Sequence, residues 1–180
     1  VVLIVFSFNE SRSRGTWGGF SLKWYQALFQ DQTLMQAMYN TVLIAILSAT
    51  IATVIGTIAA IAIDGLDKWM QGIFMNVTYL PVLNPDIVTG VSLMLLFLMV
   101  KIHLGFHTLL LAHIIFNIPY VIIAVLPKLQ NLNKYTMEAA LDLGATPLYT
   151  YWHVILPQIK EGILTGFLFA FTLSLDDFVI

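Results

Sequence analysis

An all-α bundle of membrane-spanning helices is the fold this chain predicts, and three observations carry the prediction. Apolar residues make up 59% of the 180 positions and charged residues only 10%, against about a quarter charged in an ordinary soluble domain. Mean hydropathy is +0.87. The charges that do occur are bunched, so that none falls between Asp31 and Asp64. These features exclude a soluble domain. A net charge of −2 leaves no basic field for nucleic acid, and the absence of cysteine removes disulfide frameworks and thiolate metal sites. No GxxxxGK[ST] loop is present, so the chain carries no Walker-type ATP site. No Ser-His-Asp or positioned carboxylate pair supports hydrolysis. His103, His107 and His113 lack acidic or thiolate companions nearby, so packing is their expected use and no metal or catalytic residue is assigned.

The spans follow from the charge-free runs, since about 20 apolar residues cross about 30 Å of hydrocarbon. Val1 to Phe8 is apolar but too short to cross. The first full span is predicted over Met38 to Ile63, where Ser48, Ala52, Gly56 and Ala60 recur every fourth residue and invite close approach of another helix. A second is predicted over Trp69 to Val100, with Asp86 as its only charge and Pro81 and Pro85 bending it. The third runs from Ile102 to about Pro127, with a kink at Pro119. The fourth begins near Gly162, where Gly162, Gly166, Ala170 and Ser174 repeat the small stripe before Asp176 and Asp177. Charge bias does not orient the bundle: Arg12, Arg14, Lys23 and Lys101 fall on one side, and Lys68, Lys128, Lys134 and Lys160 on the other.

Between the third and fourth spans lies a polar island. Tyr135 to Leu143 is made of good helix formers and stops at Gly144, which suits the left-handed position after a helix. Thr146 then reads as an N-cap with Pro147 at the first helical position, opening a second helix that ends before Leu156-Pro157. An amphipathic loop helix resting on the membrane is the plainer reading of this composition. The full spacing argues otherwise: Glu138-Ala139-Ala140, three residues, Gly144, nine residues, Val154, one residue, Leu156-Pro157. This resembles the EAA loop of importer-type ABC transporter permeases, with Val154 in place of Ile. The resemblance implies a MetI-like helical permease. Its residues 128–161 form a cytoplasmic loop that couples to an ATPase through Glu138, Ala139, Ala140, Gly144, Leu156 and Pro157. Because the chain opens at Val1 to Phe8 and stops at Asp176 to Ile180 inside apolar stretches, residues 1–180 are expected to be a single transmembrane domain, truncated at both ends, from a subunit of six helices.

Carboxylates inside the spans speak of the cargo. Counted along straight helices at about 1.5 Å per residue, Asp86 lies about 27 Å beyond Lys68 and Asp176 about 22 Å beyond Glu161. Charge at such depth is costly unless it faces protein, water or a cation. Asp86 could equally cap a re-started helix after Asn84-Pro85. Asp176 and Asp177 could mark the exit of a span. The stretches Asn84-Pro85-Asp86-Ile87-Val88, Ser174-Leu175-Asp176-Asp177 and Gly19-Phe20-Ser21-Leu22-Lys23-Trp24-Tyr25 resemble the spermidine/putrescine branch of the permease family. Polyamines are flexible polycations, which carboxylates and aromatic faces bind. The expected pathway residues are therefore Asp86, Asp176, Asp177, Ser174 and Trp24, with interfacial anchoring as the alternative for the aromatic.

The resemblance implies a non-catalytic subunit in the plasma membrane. Its partners would be a second permease subunit, ABC ATPase subunits that hold ATP and Mg, and a substrate-binding protein outside. It needs no cofactor of its own. An importer for another amine, an opine or an inorganic ion is the alternative within the class. A channel or secondary transporter is the alternative outside it.

Overall fold

A computed structural model describes residues 2–11, 15–84, 86–133 and 135–176. Among these, the chain is helical: α1 (Val2–Phe6), α2 (Lys23–Gln30), α3 (Gln32–Asp64), α4 (Lys68–Leu83), α5 (Asp86–Met99), α6 (Phe106–Gln130), α7 (Tyr135–Asp142), α8 (Pro147–Thr150), a π-helical turn (Tyr151–Ile155) and α9 (Leu156–Asp176). By contacts it divides into residues 1–42 and 43–180.

The first unit is held by polar and aromatic contacts rather than by a core. Asn9 is buried; its Oδ1 accepts from the Gly18 amide at 2.7 Å and its Nδ2 donates to the Thr16 carbonyl at 2.8 Å. Its backbone pairs with Phe20 as a single antiparallel bridge. Phe8 stacks on Phe20 and lies against Tyr25 at 5.4 and 5.3 Å. Asp31 Oδ1 accepts from the amides of Thr33 and Leu34 at 3.0 and 3.1 Å. That cap starts α3 at Gln32, six residues before the expected Met38.

The second unit is built on α6. The small stripe of α3 and that of α9 both close on Val121: a Cβ added to Gly56 would stand 2.7 Å from the Val121 side chain, and one added to Gly166 would stand 3.2 Å from it. Both stripes are buried, as their spacing predicts. α6 and α9 are antiparallel, since Lys128 pairs with Glu161 at one end and His113 with Ser174 at the other. α6 passes through Pro119 and Pro127 as one helix. It starts at Phe106, later than expected, because the Thr108 hydroxyl accepts from the Gly105 amide at 2.8 Å and fixes the cap there.

Among the described residues, three helices are long and apolar enough to span a membrane: Gln32–Asp64, Phe106–Gln130 and Pro147–Asp176. The stretch expected to span over Trp69 to Val100 is bent, as its prolines predict. It is two helices of 16 and 14 residues, about 24 and 21 Å long, bent by 101° from one another. The break falls at Asn84 to Asp86, where a proline denies the α region to the residue before it. The straight-helix depth of Asp86 therefore does not hold.

Glycine positions separate packing from propensity. Gly56→Ala is expected to cost about 1–3 kcal/mol through overpacking against Val121. Gly72→Ala, where a Cβ meets nothing within 4 Å, is expected to be neutral or to gain up to about 1 kcal/mol. Thermal unfolding of the solubilised protein measures both, and equal midpoints would contradict the packing account.

Candidate coupling corner and intramembrane polar residues

The corner between α7 and α8 is set by backbone geometry. Gly144 has φ +86, the left-handed position that a side chain disfavours. Its amide donates to the Leu141 carbonyl at 2.9 Å, and the Ala145 amide reaches the Ala140 carbonyl at 3.1 Å. These two bonds are a Schellman closure. Thr146 follows in extended conformation, and its Oγ1 accepts from the Tyr149 amide at 3.4 Å, with Pro147 heading α8. Local chemistry thus makes the corner without help from burial.

What the corner presents is apolar and open. Leu143 is 89% and Leu148 70% exposed, and Trp152 is exposed beside them. Glu138 and Ala139 are exposed on α7, and Ala140 is half-buried. A concavity of about 540 Å³ opens in the angle, lined by Ala140, Gly144, Ala145, Thr146, Tyr149 and Val154 among others.

The second helix does not end before Leu156-Pro157, and that expectation is corrected. α8 continues through the π turn into α9, of which Leu156 and Pro157 are the first residues. Pro157 brings no N–H, and in an α-helix its ring would clash with the His153 carbonyl. The wider turn relieves this: the Leu156 amide donates to the Tyr151 carbonyl five residues back. His153 Nδ1 lies 3.2 Å from the Tyr149 carbonyl, and the two rings stack at 4.1 Å. A π turn inside a helix is uncommon and concentrates at functional sites.

Of the expected pathway residues, Asp176, Ser174 and Trp24 have described side chains. Asp176 is exposed at the end of α9, and because that helix is unbroken from Leu156 its distance beyond Glu161 stands at about 22 Å. Ser174 is only 3% exposed. Its Oγ lies 3.0 Å from Ser48 Oγ and 2.8 Å from His113 Nδ1, inside the helix seam. Trp24 belongs to the first unit, where its Nε1 donates to the Asn9 carbonyl at 2.8 Å and Lys23 Nζ lies 5.9 Å from its ring centroid. Asp86 begins α5. Its side chain, and Asp177, lie outside the described residues.

Residue-by-residue reading expected His113 to pack, as it does, but did not single out Asn117. His113 and Asn117 are both buried on α6, four residues apart. The signal was there, since each stands on the face of a charge-free run that meets the small stripes.

The described residues form a polytopic helical membrane protein whose last long helix opens at a corner of two short helices. Residues 52–180 match the family described as binding-protein-dependent transport system inner membrane component, and the chain belongs to that family. All 180 residues align at 39% identity with 70% of the spermidine/putrescine transport system permease protein PotC of Haemophilus influenzae. They align at 37% with 68% of PotC of Escherichia coli. The putrescine transport system permease protein PotI of Escherichia coli is 39% identical, with 66% of it covered.

The corner itself is testable. Gly144→Val should cost about 1–2 kcal/mol through its positive φ alone, since a Cβ there meets nothing within 4 Å. Amide exchange at Ala145 should speed up while the amides of α6 keep their protection. Unchanged exchange at Ala145 would mean the closure tolerates a side chain.

Proposed function

We propose that this chain is a permease subunit of an ATP-driven importer for polyamines of the spermidine/putrescine class. The observation that carries the reading is identity of 37–39%, over the whole of this chain, to permeases named for spermidine and putrescine. The chemistry agrees. Asp86, Asp176 and Asp177 occur in apolar segments in which Lys and Arg are absent, so a pathway they line attracts cations and repels oxyanions.

The subunit works in the plasma membrane as a multi-pass protein. It pairs with a second permease subunit, receives cargo from a substrate-binding protein outside, and rests on ATPase subunits that bind ATP and Mg. This chain contributes no catalytic group and no cofactor site. The exposed apolar rim of Leu143, Leu148 and Trp152, with Glu138 beside it, is the surface offered to the ATPase. Such a rim suits a protein cleft, because aromatic and aliphatic anchors in a pocket carry most interface energy. ATPase closure then moves the corner, and the bundle shifts between two arrangements that expose the acidic segment alternately.

Two measurements test this on the reconstituted complex. ATPase activity in the presence of the binding protein should rise with spermidine or putrescine and stay at baseline with sulfate, phosphate or molybdate; stimulation by an oxyanion alone would overturn the substrate. Asp86→Asn, and Asp176→Asn or Asp177→Asn, should lower uptake at limiting polyamine by about tenfold, the effect of about 1.4 kcal/mol of lost attraction, with assembly intact. Normal uptake in all three would reduce these carboxylates to helix caps.

A further inference from the structure

The seam between α6 and α9 holds one group that its present packing does not serve. Asn117 is fully buried, at 0% exposure, and neither Oδ1 nor Nδ2 has a hydrogen-bond partner. Buried amides are ordinarily satisfied, so an orphaned one calls for a reason. Asn117 stands one turn along α6 from His113, on the same face. His113 is the residue that now holds Ser174.

The stripe on α9 is periodic. Gly162, Gly166, Ala170 and Ser174 repeat every fourth residue, so sliding α9 by one turn, about 5.4 Å, returns a small residue to the levels of Gly162, Gly166 and Ala170, with Phe178 next in the series after Ser174. Moved toward the C-terminal end of α6, the slide carries Ser174 from His113 to Asn117. The fit can be checked at the two tightest places. Where Gly162 now lies, a Cβ would meet Lys128 Cγ at 2.7 Å and the Ala124 carbonyl at 3.2 Å. The incoming residue is Gly166, which has no Cβ. Where Gly166 lies, a Cβ would meet Val121 Cγ1 at 3.2 Å and Cα at 3.3 Å. Ala170 arrives there, and Val121 must give by a few tenths of an ångström to admit it. Ser48 loses Ser174 but keeps the Ala45 carbonyl at 3.3 Å. The Lys128–Glu161 ion pair, exposed on both sides, is a weak restraint.

We propose that α6 and α9 form a seam with two registers one helical turn apart, in which Ser174 exchanges His113 for Asn117, and that the transport cycle drives α9 between them. One-turn ratchets of this size are an established kind of switching step. The proposal rests on the reading of the α7–α8 corner as the ATPase surface, because the push reaches α9 through α8 and the π turn.

The chain has no cysteine, so paired cysteines report register in the full complex with cysteine-free partners. Lys128→Cys with Glu161→Cys reports the present register. Lys128→Cys with Thr165→Cys reports the shifted one and leaves the buried seam untouched. The first pair should cross-link without nucleotide, and the second should do so when the ATPases are trapped closed. Asn117→Leu removes the second register's acceptor at similar volume. It should raise the unfolding temperature yet lower transport per ATP by about tenfold, a shift of about 1.4 kcal/mol, while Asn117→Ser, which can still bond Ser174, should transport better than Asn117→Leu. Cross-linking of the first pair alone in every state of a complex that hydrolyses ATP and transports would overturn the two registers and leave the permease reading standing. A full-strength Asn117→Leu would do the same. A chain that assembles with no ATPase would overturn both.

Discussion

The approach of two small-residue stripes to Val121 is the constraint on which the rest of the second unit depends. Between helices in hydrocarbon there is no water to expel, so association rests on close van der Waals contact and on a few interhelical hydrogen bonds. Gly56 and Gly166 bring two backbones to one valine, at a distance that leaves no space for a methyl at Gly56 and falls a few tenths of an ångström short at Gly166. That contact sets the register of α9 on α6. The register in turn places Ser174 between His113 and Ser48 and lays Lys128 along Glu161. The proposed second register uses the fourfold recurrence of small residues and sets an alanine where Gly166 now lies. Tight packing here is compatible with sliding because the small residues recur.

The chain's spans and its corner were legible because both are written locally. Charge-free runs locate α3, α6 and α9, and the spacing of Ser48, Ala52, Gly56 and Ala60 marks the buried face without any knowledge of its partner. Gly144 and Thr146-Pro147 specify a left-handed stop and a capped start from their own stereochemistry, and the structure has both.

What was not legible depends on partners distant in the chain or on a choice between local solutions. Pro157 read as a terminator, yet a helix can also meet a proline by widening one turn, and here the π turn keeps the chain helical. The break near Pro85 was visible, but its angle of 101° was not, and α4 and α5 each touch α6, a helix distant in the chain. Asn9, which organises the first unit through Gly18 and Thr16, looked like an ordinary loop residue. Ser174 looked like a pathway hydroxyl, and only the antiparallel placement of α6 turned it inward.

The continuity of the last helix gives the two ends of the second unit a mechanical relation. Pro147 to Asp176 is 30 residues, about 45 Å of helix, and it joins the exposed corner at one end to Asp176 at the other. An α-helix transmits axial displacement with little loss because each residue is tied to the next turn. The π turn is the one place on this rod where the ladder is irregular, and it lies between the corner and the small stripe. The Gly144 closure ends α7 by backbone bonds and the Thr146 hydroxyl caps the start of α8, so both sides of the corner are locally fixed. In the proposed cycle this arrangement delivers motion to the seam at Val121. There the energetic opposition is smallest, since one buried amide stands ready to replace the hydrogen bond that a shift would break.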